Sequence, residues 1–185
     1  MPADLFARLD LDQIYPGFLE LALELIARCE KRGVIYFATS GFRSPAEQMA
    51  LWQKGRNSLG AVVAPAAVVT RKKFGHHNIG TAIDFTRDIS PDRSGLQPSW
   101  QPEDYAVLVE EATALGLEAG GAWVGFPDWP HIQLPLNSKG VTVNQCKHIY
   151  DVALKAGATP EAALKKVWEF LDRKGPWVAA APKSP

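Results

Sequence analysis

The stretch H-N-I-G-T-A-I-D-F-T, residues 77–86, passes from polar residues through Gly80 into alternating apolar and polar side chains, the period-two pattern of a strand. Upstream, V-I-Y-F-A-T-S at 34–40 is β-branched and aromatic and reads as a buried strand. It follows an amphipathic helix, F-L-E-L-A-L-E-L-I-A-R-C-E-K-R, which Pro16 opens, basic residues close and Gly33 ends. A second helix begins after Ser44, with Pro45 at its first position and Glu47 placed for a capping box. Residues 56–74 mix glycine, Pro65 and small residues with Arg71-Lys72-Lys73, which predicts a long loop ending in a short strand. Residues 88–102 carry three prolines and predict an exposed insertion. A third helix runs from Pro102 to Gly116, and the Gly-rich segment after it, residues 117–134, ends in a closing strand. Beyond Leu136 two short helices follow, the second with Thr159, Pro160 and Glu161 at its start, and the final A-A-A-P-K-S-P reads as frayed.

The chain has 185 residues, 46% hydrophobic and 22% charged, enough for one domain with a sizeable core. That composition excludes collagen-like, disordered and disulfide-scaffold classes. Lys+Arg 20 balances Asp+Glu 20, so the basic bias of a protein whose main partner is nucleic acid or an anionic membrane is missing. The run Arg71-Lys72-Lys73 has no aromatic interleaving and reads as a solvated loop face. Cys29 and Cys146 stand far apart, in no C-x-x-C, and read as buried free thiols. No apolar run reaches the roughly 18 residues of a membrane span, and the acidic opening Met1-Pro2-Ala3-Asp4 lacks a secretion-signal pattern. The expectation is a protein made in the cytoplasm, without stable membrane insertion.

Chemistry collects in two places. His77 and Asp84 stand seven residues apart, and His131 follows Asp128 in D-W-P-H. Two imidazoles and one carboxylate suffice for zinc in an open catalytic site, and a carboxylate just before the last ligand can take a proton from an attacking water. On spacing alone, the same residues also read as satisfied polar core groups or a surface pair. A one-residue swap between His77 and His76 stays open, whereas His148, in the tail, reads as structural or exposed.

Three segments together carry a family resemblance: S-G-F-R-S at 40–44 with Gln48, H-x-x-G-x-A-x-D from His77 to Asp84, and G-G-x-W-x-x-F-x-D-x-P-H from Gly120 to His131. They resemble the D-Ala-D-Ala carboxypeptidase and L-alanyl-D-glutamate endopeptidase family of zinc peptidases, and within it the phage endolysin branch. The resemblance spans roughly residues 35–135. It implies that His77, Asp84 and His131 hold zinc, selecting His77 over His76 because only His77 has Gly, Ala and Asp at the right offsets. It also implies that Asp128 is the catalytic base and that Arg43 holds the substrate carbonyl and developing oxyanion. Ser40, Gln48 and Trp123 become candidate substrate-binding residues, with Gln48 either orienting Arg43 or lining the cleft; Trp129 reads as a stacking or packing residue. Two departures stand out: Gly75 replaces a serine common in the family, and Asp128 replaces the glutamate base of many carboxypeptidases, as in the endopeptidase branch.

The implied fold is α+β, a small mainly antiparallel sheet with helices packed on one side, like that of hedgehog and D-Ala-D-Ala peptidases. Residues 1–136 form the expected catalytic domain, and residues 137–185 a helical extension packed on it rather than a wall-binding element. The implied function is zinc-dependent cleavage of the L-Ala–D-Glu bond in the peptidoglycan stem peptide by a monomer, a phage or prophage endolysin that reaches the wall after release from the cytoplasm. The alternatives are a D,D-carboxypeptidase and a non-enzymatic zinc-containing binding module of the same fold; Asp128 and Arg43 together argue against the latter.

Overall fold

Strands β1 (Ile35–Ser40), β2 (Ala82–Asp88), β3 (Pro98–Ser99), β4 (Glu118–Ala119) and β5 (His131–Gln133) form one antiparallel sheet in a computed structural model that describes residues 3–90 and 96–177. The order is β1-β2-β5-β4, with β3 paired to the end of β2. Register sets what each face carries, because paired residues on adjacent strands share a face. Ala38 lies opposite Phe85 and Ile83 opposite Ile132, and these join Tyr36 in the apolar core. One residue out of step, Phe37 lies opposite Thr86 and Asp84 opposite His131, so the other face carries the polar groups. The β1–β2 ladder slips at Thr39, a bulge that brings Ser40 rather than Thr39 opposite Asp84.

Helix α1 (Pro16–Lys31) lays Phe18, Ala22, Leu25, Ile26 and Cys29 on the apolar face, a helical i, i+4, i+7 stripe. Helix α2 (Pro45–Gln53) opens with the expected capping box: Ser44 Oγ accepts the Glu47 N–H, and the Glu47 carboxylate accepts the Ser44 N–H at 2.8 Å. Helix α3 (Ala106–Ala114) packs beside α1 through Leu108 and Ala112. The third helix is shorter than the sequence suggested, because its first residues, Pro102–Tyr105, wind as a 3-10 turn in which Asp104 accepts bonds from Arg87 and the Ser99 hydroxyl. Helices α4 (Val143–Lys155) and α5 (Pro160–Asp172) make up the tail, and α4 has a capping box of its own, Thr142 with Gln145. Leu164, Val167, Trp168 and Leu171 of α5 belong to the same core as Ile79 and Phe18. The Trp168 indole donates to the Ile79 carbonyl at 2.9 Å, and the Tyr15 hydroxyl donates to Asp172 at 2.6 Å, which braces the turn that presents His77.

The loop from Arg56 to Phe74 does not end in a strand. It holds one isolated bridge, Arg56 to Val62, and a 3-10 turn at Pro65–Ala67. Side chains take the place of a ladder partner there: the Thr70 carbonyl accepts from Arg56 and the Lys72 carbonyl from Gln48. Its basic run is exposed, yet Arg71 stacks over Phe126 at 4.4 Å and Lys73 over Trp52 at 4.3 Å. Residues 91–95 of the predicted insertion and the predicted frayed end lie outside the described residues.

Candidate metal centre and active site

His77 sits in a 3-10 turn, His76–Ile79, that closes on Gly80 in the left-handed region at φ 68. A side chain there would be strained and would also collide with the Gln13 carbonyl, so the turn requires glycine. Asp84 stands in the middle of β2, and His131 opens β5 directly across from it. The three converge: His77 Nε2 lies 3.2 Å and His131 Nδ1 3.0 Å from Asp84 Oδ1, and the two nitrogens are 3.2 Å apart. Among the described residues these three form the group of His, Cys, Asp or Glu side chains close enough to share a metal ion.

The hydrogen bonds behind the rings decide which nitrogens face the centre. The Gly41 carbonyl can only accept, so His77 Nδ1, at 2.6 Å, carries the proton and Nε2 keeps its lone pair. For His131 the reasoning runs through two residues. Glu118 presents a carboxylate to Gln133 at 2.5 Å, so the Gln133 amide must turn its NH2 toward Glu118 and its carbonyl toward His131. His131 Nε2, at 2.9 Å from that carbonyl, therefore carries a proton and Nδ1 is the ligating atom. Two imidazole lone pairs and a carboxylate oxygen thus point at one place, a donor set that fits zinc. His76 turns away: its Nδ1 lies 3.0 Å from Thr81 Oγ1.

Arg43 stands at the edge of this cluster, with Nη2 3.7 Å from Asp84 Oδ2. Its fork is held by Gln48 Oε1 at 2.9 Å and Ser40 Oγ at 3.0 Å, and its carbonyl accepts from the Asn78 amide at 2.7 Å. Gln48 is buried and also donates to the Lys72 carbonyl at 2.6 Å, so its oxygen holds Arg43 while its amide nitrogen is bound to the 56–74 loop. Asp128 is brought alongside His131 by Gly120, where a Cβ would come within 3.1 Å of the Cβ atoms of both. Trp123 is exposed, with its ring 5.3 Å from the His131 ring. Trp129 instead packs against the core, and a Cβ at Gly121 would press on its ring.

Charge and burial shape the acids differently. Burial alone would raise the Asp84 carboxyl, but with no metal bound the attraction and hydrogen bonds of His77 and His131 in their protonated form outweigh it and hold Asp84 far below the carboxylate range. The Asp128 carboxyl is pushed up, first by burial and then by the charge of Asp84, against the opposing pull of His131, His77 and Arg43. The two carboxyls thus shift in opposite directions, Asp84 down and Asp128 up. Sequence reasoning missed Asn78, Glu118 and Gln133. Of these only Gln133 left a signal: it stands two residues after His131 in a strand, and so on the same face.

Two histidines and an aspartate on the polar face of a small antiparallel sheet, with a held guanidinium and a raised carboxyl beside them, have the composition of a hydrolytic metal centre. The model of the VanY family, D-alanyl-D-alanine carboxypeptidase, matches residues 12–120, a stretch that includes Arg43, His77 and Asp84. The chain belongs to this family. It is 34% identical over 130 residues to the peptidoglycan L-alanyl-D-glutamate endopeptidase CwlK of Bacillus subtilis (strain 168), covering 65% of this chain and 73% of that protein. The crystal structure of Serratia marcescens L-Ala D-Glu endopeptidase ChiX superimposes with a TM-score of 0.49 at 21% identity, over 71% of this chain and 88% of that one.

Proposed function

We propose that this protein is a zinc-dependent peptidoglycan hydrolase that cleaves the L-Ala–D-Glu bond of the stem peptide. The observation that carries the reading is the pair of committed ring nitrogens, His77 Nδ1 on Gly41 and His131 Nε2 on Gln133, which leaves two lone pairs converging on Asp84. His77 Nε2, His131 Nδ1 and an Asp84 oxygen would hold the ion. Bound there, zinc would polarise the scissile carbonyl and lower the pKa of water. Asp128 would take the proton of the attacking water on its carboxylate and pass it to the departing D-Glu nitrogen, a task suited to a carboxyl raised by burial. Arg43, fixed by Ser40 and Gln48, would donate to the oxygen on which negative charge grows. Trp123 would line the cleft beside His131.

The L-Ala–D-Glu choice is supported by the similarity to CwlK and by the short Asp128 base; the family's own description favours the alternative, removal of a terminal D-Ala. Among the described residues no helix is long and apolar enough to cross a membrane. The reading extends to a lytic enzyme of phage or prophage origin, acting on the wall as a monomer. Zinc content after dialysis and mass spectrometry of digested muropeptides test it together. One zinc per chain and a new amino-terminal D-Glu are expected; free D-alanine as the sole product would replace the reading with a carboxypeptidase, and no product with a binding module.

A further inference from the structure

Next to the candidate site runs a groove of about 530 Å³ that shares Ser40, Gly41 and Arg43 with it. One wall is α2, with Glu47 and Lys54, and the other is the amino-terminal segment, with Arg8, Asp10 and Gln13. This second wall is built on purpose. A Cβ at Gly41 would stand 3.0 Å from Ile14 Cδ1 and 3.1 Å from Leu9 Cδ1, and the Tyr15 N–H donates to the Gly80 carbonyl at 2.8 Å. The segment is thus docked on the two turns that present Arg43 and His77.

The groove's charges are unequally committed. The Glu47 carboxylate is taken up by Ser44, and Asp10 accepts the Asp12 N–H. Arg8 rests over the Phe37 ring at 5.1 Å, and among the described residues neither Arg8 nor Lys54 makes an ion pair. Arg8, Arg43 and Lys54 outnumber the groove's two carboxylates, Asp10 and Glu47, and the two cations without an ion pair suit a ligand segment bearing a carboxylate. In a stem peptide such groups lie beyond the scissile bond: D-Glu is joined onward through its side chain and keeps a free α-carboxylate, whereas the L-Ala side carries a methyl group and an uncharged sugar ether. We propose that this groove receives the D-Glu side of the stem peptide, with Arg8 and Lys54 as specificity-determining cations for the D-Glu α-carboxylate. The proposal rests on the cleavage reading above.

The test is steady-state cleavage by the zinc-loaded protein of two soluble muropeptides, one with D-Glu and one with its α-carboxyl amidated. Cleavage of either at L-Ala–D-Glu by the unaltered protein tests the reaction itself; the variants test the groove. Arg8→Gln and Lys54→Gln should each raise KM for the acidic substrate roughly three- to fivefold, the scale of an exposed ion pair, and together about tenfold or more. They should leave kcat within about twofold and KM for the amidated substrate unchanged, while Arg8→Lys should restore most of the loss. Both walls are exposed at these side chains, so the variants should fold. Equal losses on both substrates, or no loss on either, would overturn the assignment, and a loss confined to release of terminal D-alanine would give the cations to a carboxypeptidase instead.

Discussion

Replacing Gln133 by leucine removes the group that tells His131 which nitrogen to offer. Gln133 is 9% exposed and His131 7%, so no solvent stands ready to replace the 2.9 Å bond at Nε2. Two responses are open to the ring. It can keep the Nε2 proton unsatisfied, which costs about 1–3 kcal/mol. Or it can move the proton to Nδ1, the atom that faces Asp84, and spoil the donor set. The first response costs the zinc-free and zinc-bound forms alike, so affinity falls through the second, which zinc must reverse; at about 1.4 kcal/mol per factor of ten, restoring that 1–3 kcal/mol weakens zinc binding roughly 5- to 150-fold, consistent with the ~10- to 100-fold typical of such partners. Gln133→Glu separates the two functions of the side chain: it keeps an acceptor for Nε2–H but sets a second carboxylate against Glu118. Zinc affinity should then stay within about threefold of the native protein, while the zinc-free form loses thermal stability. Competition with a chromophoric chelator measures the affinities, and circular dichroism checks the fold. A leucine variant that binds zinc within twofold of the native protein, or a glutamate variant that falls as far as leucine, would refute the tautomer argument.

His77→Ala should empty the zinc site by elemental analysis, whereas His76→Ala should leave most of the metal in place because that ring turns to Thr81. Asp128→Ala should retain zinc and fold but lose about 10²–10⁴-fold in kcat, and loss of zinc would make Asp128 a ligand instead. Gln48→Ala should lower kcat by freeing the Arg43 fork, with zinc content unchanged; calorimetry should also register the loss of its buried amide bonds. Cys29 and Cys146 are pushed up to about 12 by burial, so the unfolded chain loses these protons first and the stability they contribute is intact below about pH 9 and lost between there and about pH 12. Chemical denaturation across that window should show the decline, and replacing both residues with alanine should make it shallower, the remainder coming from tyrosines such as Tyr15 and Tyr36 whose phenols burial also pushes up.

The elements that were legible in the sequence are those whose signals are local. Pro16 and Gly33 bracket α1, Ser44 and Glu47 open α2, and the alternation T-A-I-D-F gives β2 because each pattern is enforced by the backbone of the segment that carries it. The strand expected before Phe74 failed for the opposite reason: a short β-competent run has no strand unless a partner ladder reaches it, and here Gln48 and Arg56 supply the carbonyls' partners from the side. The turn-like start of the third helix likewise depends on Arg87 and Ser99, which only the folded sheet brings to Asp104.

The candidate site divides along the same line. His77, Asp84 and His131 were singled out by the resemblance their motifs carry, since spacing alone left them open; the glycines of those motifs, Gly80 and Gly120, are each required by a close backbone approach the structure makes visible. The groups that set their chemistry come from distant points with no motif of their own: Gly41 is 36 residues from His77, and Glu118 reaches His131 only through Gln133 across the β4–β5 ladder. Register is what joins them. Glu118 lies opposite Gln133, and Asp84 opposite His131, so a one-residue slip of β5 would reverse its faces and send His131 into the core while breaking both contacts. Ile132, fully buried between Ile83 and Ala119, resists that slip, so the apolar packing of one face holds the donor geometry on the other.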